Sequence, residues 1–466
     1  MKKLESNADH NYAYPLWRKS LIVFVTSWTT LAATFSSTSL FSAASEIAKD
    51  FGTTQEKVNL SSAGILLAMG FSSFVWGPIG IIIGRRFAYN SCIVVLFLFT
   101  IGAALAPNMR TFVVMRVLSG LQGTYFHVSG QVILAEYFPP IQRGTATGFF
   151  LAGTVLGPPF GPLVAGIIVT YQSWRVILWL QAAMVGVSFI LAMTVIPYNK
   201  SREESKQAMS ILEMLDHFNP KHVFGLMIYP NIFFTDLACG LLSWTQYSLL
   251  SAPRHIITER FNLTSPLVSG LFYISPAAGF LAGTMIGGKY SDMTVRKWID
   301  KRGGVRLPQD RLNSGMFSFF FLVPVTSLVY GWCLQADKGG LPLPVIMAFF
   351  TAGGLMAAFA SLNTYCAEAM PRKRAQVVAA KYCVQYTFSA VTSGASVPMI
   401  DAIGVGPTCT ISAVFVLIGG VLTMTTAKYG MRMQDWVDVR IKRKPEPEKP
   451  QLSEEEETAP KLDAVV

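Results

Sequence analysis

The sequence predicts an all-α membrane protein of twelve transmembrane helices in two six-helix pseudo-repeat bundles. Three observations predict it. Of 466 residues, 52% are hydrophobic and only 14% are charged, against about a quarter charged in soluble domains. Apolar runs of about 20 residues, the length that crosses a hydrocarbon core at 1.5 Å rise per residue, recur along most of the chain. Lys and Arg gather in alternate loops between those runs.

The runs fall at 21–45 (span 1), 60–83 (span 2), 91–106 (span 3), 111–134 (span 4), 146–170 (span 5) and 174–196 (span 6). After a polar stretch containing KSREESKQ come 223–250 (span 7), 266–288 (span 8), 316–334 (span 9), 345–365 (span 10), 377–400 (span 11) and 406–426 (span 12). A transmembrane barrel would instead show alternating strands of about ten residues. The first run is too long for a signal peptide and lacks a small-residue cleavage pattern, which predicts a retained anchor. The domain plan is a cytoplasmic segment 1–17, bundles 18–197 and 222–428, a cytoplasmic linker 198–221 and a disordered cytoplasmic tail 429–466. Two similar bundles of this kind rock about a central site. The tail (KRKPEPEKP, then SEEEETAP) is too charged and Pro-rich to bury a core.

A net charge of +11 might suggest nucleic acid, but loop position explains it better. Of 38 Lys and Arg, Arg116 and Lys381 sit in or at spans and seven lie in one set of loops, which leaves 29 on the other side. By the positive-inside rule both termini are cytoplasmic. Nucleic acid is therefore not an expected partner. The six cysteines are scattered without metal-ligand spacing, so neither a metal site nor a disulfide framework is expected. The sequon at Asn262 falls on the outer side.

The two halves share a signature. GPIGIIIGRR (77–86) closes span 2, and GGKYSDMTVRK (287–297) closes span 8. Aligning Gly77 with Gly288 sets Ile81 opposite Asp292, and Arg85 and Arg86 opposite Arg296 and Lys297. With Gly84 and Arg143, these residues form a candidate cytoplasmic gate; Glu136 and Glu368 lie near it. Gly153, Gly157 and Gly161, beside Pro158, repeat every four residues in span 5, as Gly279, Gly283 and Gly287 do in span 8. Small residues at that spacing let helices approach closely in lipid. The expectation is a seam where span 5 packs on span 8, and where Gly157→Leu stops transport but spares insertion.

These motifs resemble the major facilitator superfamily across almost the whole chain. The loop pattern G-x-L-x-D-R-x-G-R-R is matched at Gly77, Gly84, Arg85 and Arg86, while Ile81 stands where the family has Asp. Arg116 with Gly120 and Gly123 is similar to the buried-arginine pattern R-x-x-x-G-x-x-G. Gly153 to Gly161 is similar to the antiporter pattern G-x-x-x-G-P-x-x-G. The nearest resemblance is to the fungal twelve-span drug:proton antiporter branch, and AEYFPPIQRGTATG has the same fungal style. The resemblance implies a multi-pass transporter, not an enzyme, that exports a drug, toxin, secondary metabolite, polyamine or organic acid against proton entry. It implies a monomer in the bilayer, with protons and a small organic substrate as partners, no cofactor beyond the proton gradient, and the plasma membrane or, second, the vacuolar membrane as its place. Proton-coupled uptake of a nutrient or organic anion is the alternative, and a transport-dead sensor the alternative of another class. No G-x-x-x-x-G-K-[ST] is present, which argues against ATP-driven pumping by this chain. For Ile81 the resemblance implies a gate held less firmly in the first half, with Asp292 carrying the latch.

Charged residues inside a membrane are costly, so each is a functional candidate. Arg116 in span 4 could hold a protonatable partner or an anionic substrate group, or serve as a structural donor. Asp236, the lone carboxylate of span 7, could carry a proton through a transport cycle, or could cap or pair. His127 in TYFHVSGQ titrates near neutral pH when unperturbed, or is a packed histidine. Lys381, placed at the start of span 11, is expected to snorkel to the cytoplasmic interface. The cavity candidates are polar and aromatic: Trp28, Thr34, Thr38, Gln122, Trp244, Gln246, Tyr247, Asn363, Tyr365 and Gln385.

Overall fold

The computed structural model describes residues 14–138, 140–196, 218–253, 255–256, 261 and 265–440. The N-terminal segment to residue 13, the linker to residue 217, the Asn262 sequon and the chain after Arg440 lie outside the described residues. Helices stand at all twelve predicted positions. The first half holds span 1 (Leu16–Thr38), span 2 (Gln55–Ile82), span 3 (Arg85–Ala104), span 4 (Met109–Gly120 and Gly123–Tyr137), span 5 (Pro140–Tyr171) and span 6 (Arg175–Val195). The second holds span 7 (Pro230–Ser251), span 8 (Pro266–Leu271 and Ile274–Lys301), span 9 (ending in Val323–Gln335), span 10 (Pro342–Ala369), span 11 (Arg374–Ile403) and span 12 (Val405–Arg440). Among the described residues nine helices are long and apolar enough to cross a membrane, or ten if a bent pair at span 7 counts as one. Span 4, broken near Leu121, and span 11, which carries Lys381 and Gln385, are not among them.

Local chemistry sets the helix ends. The Asn108 side chain accepts from the Thr111 amide at 2.9 Å and so caps span 4. Pro230, Pro266 and Pro342 open spans 7, 8 and 10, where a missing N–H costs nothing. Gly84 adopts φ +101°, which lets the chain reverse between spans 2 and 3.

Two apolar cores result. One lies wholly within residues 22–196. The other fills the second half and draws in Phe41, Ile65, Leu66 and Met69 from spans 1 and 2. Gly70 of span 2 meets the Cys383 carbonyl and Tyr386 of span 11, and Gly166 of span 5 meets Gly270 of span 8.

Three expectations are corrected. The glycine stripes do not make the seam between halves. Gly153, Gly157 and Gly161 face Ser27, Thr34 and Thr38 of span 1, while Gly279, Gly283 and Gly287 face Phe349, Gly353 and Ala357 of span 10. Each stripe therefore closes a helix pair inside its own half; spans 5 and 8 do pack together, as at Gly166 and Gly270, but those two glycines lie outside the stripes. Second, residues 221–228 do not extend span 7, because they bend 104° away from it before Pro230. Third, the chain is not disordered from 429. Span 12 runs on to Arg440, where Val437 is buried, the Met431 amide donates to Gln309 Oε1 (2.9 Å), and Tyr229 donates to Asp438 Oδ1 (2.7 Å). Val437 and these two polar contacts join those turns to the bundle.

Candidate transport site

The site is built on spans 4, 7, 10 and 11. Asp236 lies six residues past Pro230 and Lys381 seven past Arg374, so both sit about 10 Å up their helices. Asp236 is fully buried and, among the described residues, neither of its carboxylate oxygens has a hydrogen-bond partner. Lys381 is close enough to interact with it electrostatically. Lys381 does not snorkel: it is 2% exposed, its Nζ donates to Asn363 Oδ1 at 2.7 Å, and it lies over the Tyr382 ring at 3.5 Å. Helix formation begins three residues before the apolar run does, which carries Lys381 into the protein.

His127 brings in the opposite half. Its ring lies 5.1 Å from Tyr382 and 6.5 Å from Tyr386, and its Nδ1 is 3.3 Å from the Gly123 carbonyl. Its charge state would be felt by Lys381. His127 thus meets the Lys381–Tyr382 turn of span 11 across the halves, and Asn363 and Asp236 approach the same lysine from spans 10 and 7.

Arg116 stands apart from them, eleven residues from His127 along the same span, about 16 Å of helix rise. It is buried, donates from Nη2 to the Ser36 carbonyl at 3.2 Å, has no partner for Nη1 among the described residues, and lies over Phe112 at 5.7 Å.

The cavity candidates divide. Tyr247 interacts with Ser37 across the halves, Gln246 is buried, and Gln385 is half-buried with its Oε1 unpartnered among the described residues. The others turn elsewhere. Trp28 donates from Nε1 to the Met184 carbonyl of span 6 (3.2 Å). Thr34 donates to its own helix at Thr30, and Thr38 to the Pro158 carbonyl of span 5. Gln122 folds back on the carbonyls of Leu118 and Ser119. Trp244 packs edge-on against Phe415 of span 12, with ring centres 5.2 Å apart, and Tyr365 accepts from Asn231 of span 7 (3.0 Å). These hydroxyls, amides and rings read as polar lining in the sequence, yet they serve helix packing and back-bonding to carbonyls.

The gate candidates form two pairings. Arg85 bonds Glu136, and Arg86 donates to the Met193 carbonyl, all within the first half. Asp292 bonds Arg311 at 3.0 Å; Arg311 and Arg306 both hold Glu368. Asp292 thus pairs with a nearby arginine of its own half, and Arg85 with a carboxylate of its own half. Ile81, at 45% exposed, faces outward from the bundle. Gly77 and Gly288 have open space where a side chain would stand. Arg296 and Lys297 are exposed. The side chain of Arg143 lies outside the described residues.

With this geometry in place, the chain can be set beside known proteins. A family model described as Major Facilitator Superfamily matches residues 26–393. The chain belongs to the Major Facilitator Superfamily. Among curated superfamily relatives, the efflux pump FUBT of Fusarium oxysporum is 24% identical, covering 92% of this chain and 76% of that protein. The MFS antiporter QDR3 of Candida albicans is 22% identical over 91% and 80%. The citrinin biosynthesis cluster MFS transporter mrr1 of Monascus ruber is 28% identical over 75% and 74%. Among solved superfamily structures, the xylose transporter XylE of E. coli in a partially occluded inward-open conformation covers 88% of this chain at TM-score 0.64. A D-xylose-proton symporter covers 86% at TM-score 0.67. Both are 14% identical and support the fold. The chain is therefore a multi-pass transporter of this superfamily and not an enzyme.

Proposed function

We propose that the protein exports a small organic compound in exchange for protons by alternating access, as a monomer in the plasma membrane with both termini cytoplasmic. The observation that carries this reading is Asp236, a carboxylate wholly buried on span 7, with no hydrogen-bond partner among the described residues and the Lys381 ammonium within electrostatic reach. A buried charge in that position is expensive unless compensated, so it is poised to gain and lose a proton as the surroundings change. The proton gradient then supplies the energy without a further cofactor. The names of the relatives, an efflux pump and an antiporter, favour export over uptake. The test is transport in proteoliposomes under an imposed pH gradient. Asp236→Asn should lose gradient-driven transport but keep substrate exchange at equal pH; full gradient-driven transport in that variant would sink the reading.

A further inference from the structure

Asp236 and Lys381 are opposite charges buried on the packed helices of spans 7 and 11, within electrostatic reach of each other and with no hydrogen bond between them. Lys381 has Asn363 as its hydrogen-bonded amide and Tyr382 beneath it, while both oxygens of Asp236 lack a donor among the described residues. Beside them three rings meet from the two halves: His127 with Tyr382 and Tyr386, whose own centres are 6.3 Å apart. Charged carboxylate and ammonium groups left incompletely bonded in a low-dielectric interior gain strongly from a partner that satisfies both.

The net charge of the pair decides which partner that is. With Asp236 ionised and Lys381 charged, the two sum to zero. A carboxylate ligand would leave a buried negative charge unless a proton bound with it, and would then carry that proton in its own direction. A cationic ligand would meet Lys381. A neutral ligand bearing a donor beside an acceptor satisfies both groups and needs Asp236 ionised, so it competes with the proton. Competition of that sense is what exchange requires.

We propose that Asp236 and Lys381 together grip the polar end of a net-neutral aromatic substrate, its N–H or O–H donating to Asp236 and its carbonyl accepting from Lys381. The rings of His127, Tyr382 and Tyr386 take the aromatic body by stacking and edge contacts. The other titratable groups around the pair are Cys239 on span 7, Tyr365 and Cys366 on span 10, Tyr382 and Cys383 on span 11, and His127 on span 4. This assignment rests on the exchange reading for its coupling, but the site itself can be tested without a gradient.

The probes are 2-naphthamide and 2-naphthoate, which share a ring system and differ in the polar end. Their binding to the full chain in nanodiscs is measured between pH 5 and pH 9. The amide should bind more weakly as pH falls, approaching about tenfold per pH unit at the acid end, because one proton competes with it. The carboxylate should bind more tightly over the same range. Asp236→Asn should flatten both profiles, Lys381→Met should weaken both probes at least tenfold, and Lys381→Arg should recover part of that loss. Amide binding that is flat or strengthens on acidification overturns the proposal. So does unchanged binding in a monodisperse Lys381→Met protein, or no saturable binding of either probe. If the expected profiles hold but vesicles show no proton-driven flux, the exchange reading falls and the binding site stands.

Discussion

Gly166 of span 5 and Gly270 of span 8 touch across the two halves: a methyl group added to Gly166 would stand 2.8 Å from the Gly270 Cα and 2.7 Å from the Pro266 carbonyl oxygen. Backbone meets backbone here, so no side chain can swing aside. Gly166→Leu should hold the halves apart at this point, lowering transport at least tenfold while the thermal midpoint of the purified protein changes by only a few degrees. Transport at wild-type level would show that the contact is dispensable.

Gly157→Leu should behave differently. The added side chain runs into Thr34 and the backbone of Phe35 within the same half, and overpacking of this kind costs about 1–3 kcal/mol. The expected result is a lower yield and a clearly lower thermal midpoint, not a folded protein that fails to transport. Detergent-solubilised thermal unfolding of the two glycine variants side by side separates packing within a half from packing between halves.

Thr38 repairs a proline break. Pro162 has no N–H to offer the carbonyl four residues back, and Thr38 of span 1 donates to that Pro158 oxygen at 2.7 Å. Thr38→Val keeps the shape and removes the donor, leaving a buried carbonyl unsatisfied at a cost of about 1–3 kcal/mol. Thr38→Ser should recover most of it. Equal thermal midpoints for the valine and serine variants would contradict this account.

The docked end of span 12 rests on Tyr229 and Val437. Tyr229→Phe removes the bond to Asp438, worth about 1 kcal/mol, and Val437→Asp buries a charge in the same place. Proteolysis between residues 430 and 440 should be faster in the second variant than in the first, and slowest in the wild type. Uniform cleavage rates would mean that the contact contributes nothing.

Much of the fold was legible because lipid imposes a simple rule: apolar length, loop charge and the repeated GPIGIIIGRR and GGKYSDMTVRK signatures place the spans and the two halves. What the sequence could not show is which way a helix face turns. Gly157 has the spacing of a seam residue whichever helix it meets, and only packing reveals that it meets span 1. Trp28 and Thr34 look like cavity lining until their bonds to span 6 and to their own helix are seen. Lys381 sits deeper than the apolar run suggests because its helix starts at Arg374, ahead of that run; its place within AAKYCVQY, beside Tyr382, is the signal for a buried cation. Asp236, Arg116 and His127 stood out by cost alone, but their separation into an inner cluster and a distant arginine is a matter of three dimensions.

Substrate-evoked proton movement reports whether the Asp236 carboxylate carries the exchanged proton. Proteoliposomes loaded with a pH-sensitive dye are challenged with a panel of neutral and charged aromatic compounds, using wild type and Asp236→Asn at matched reconstitution. The account predicts compound-dependent proton flux in the wild type and at least a tenfold loss in the variant. Equal flux in the two proteins, or none in the wild type across the panel, would contradict it.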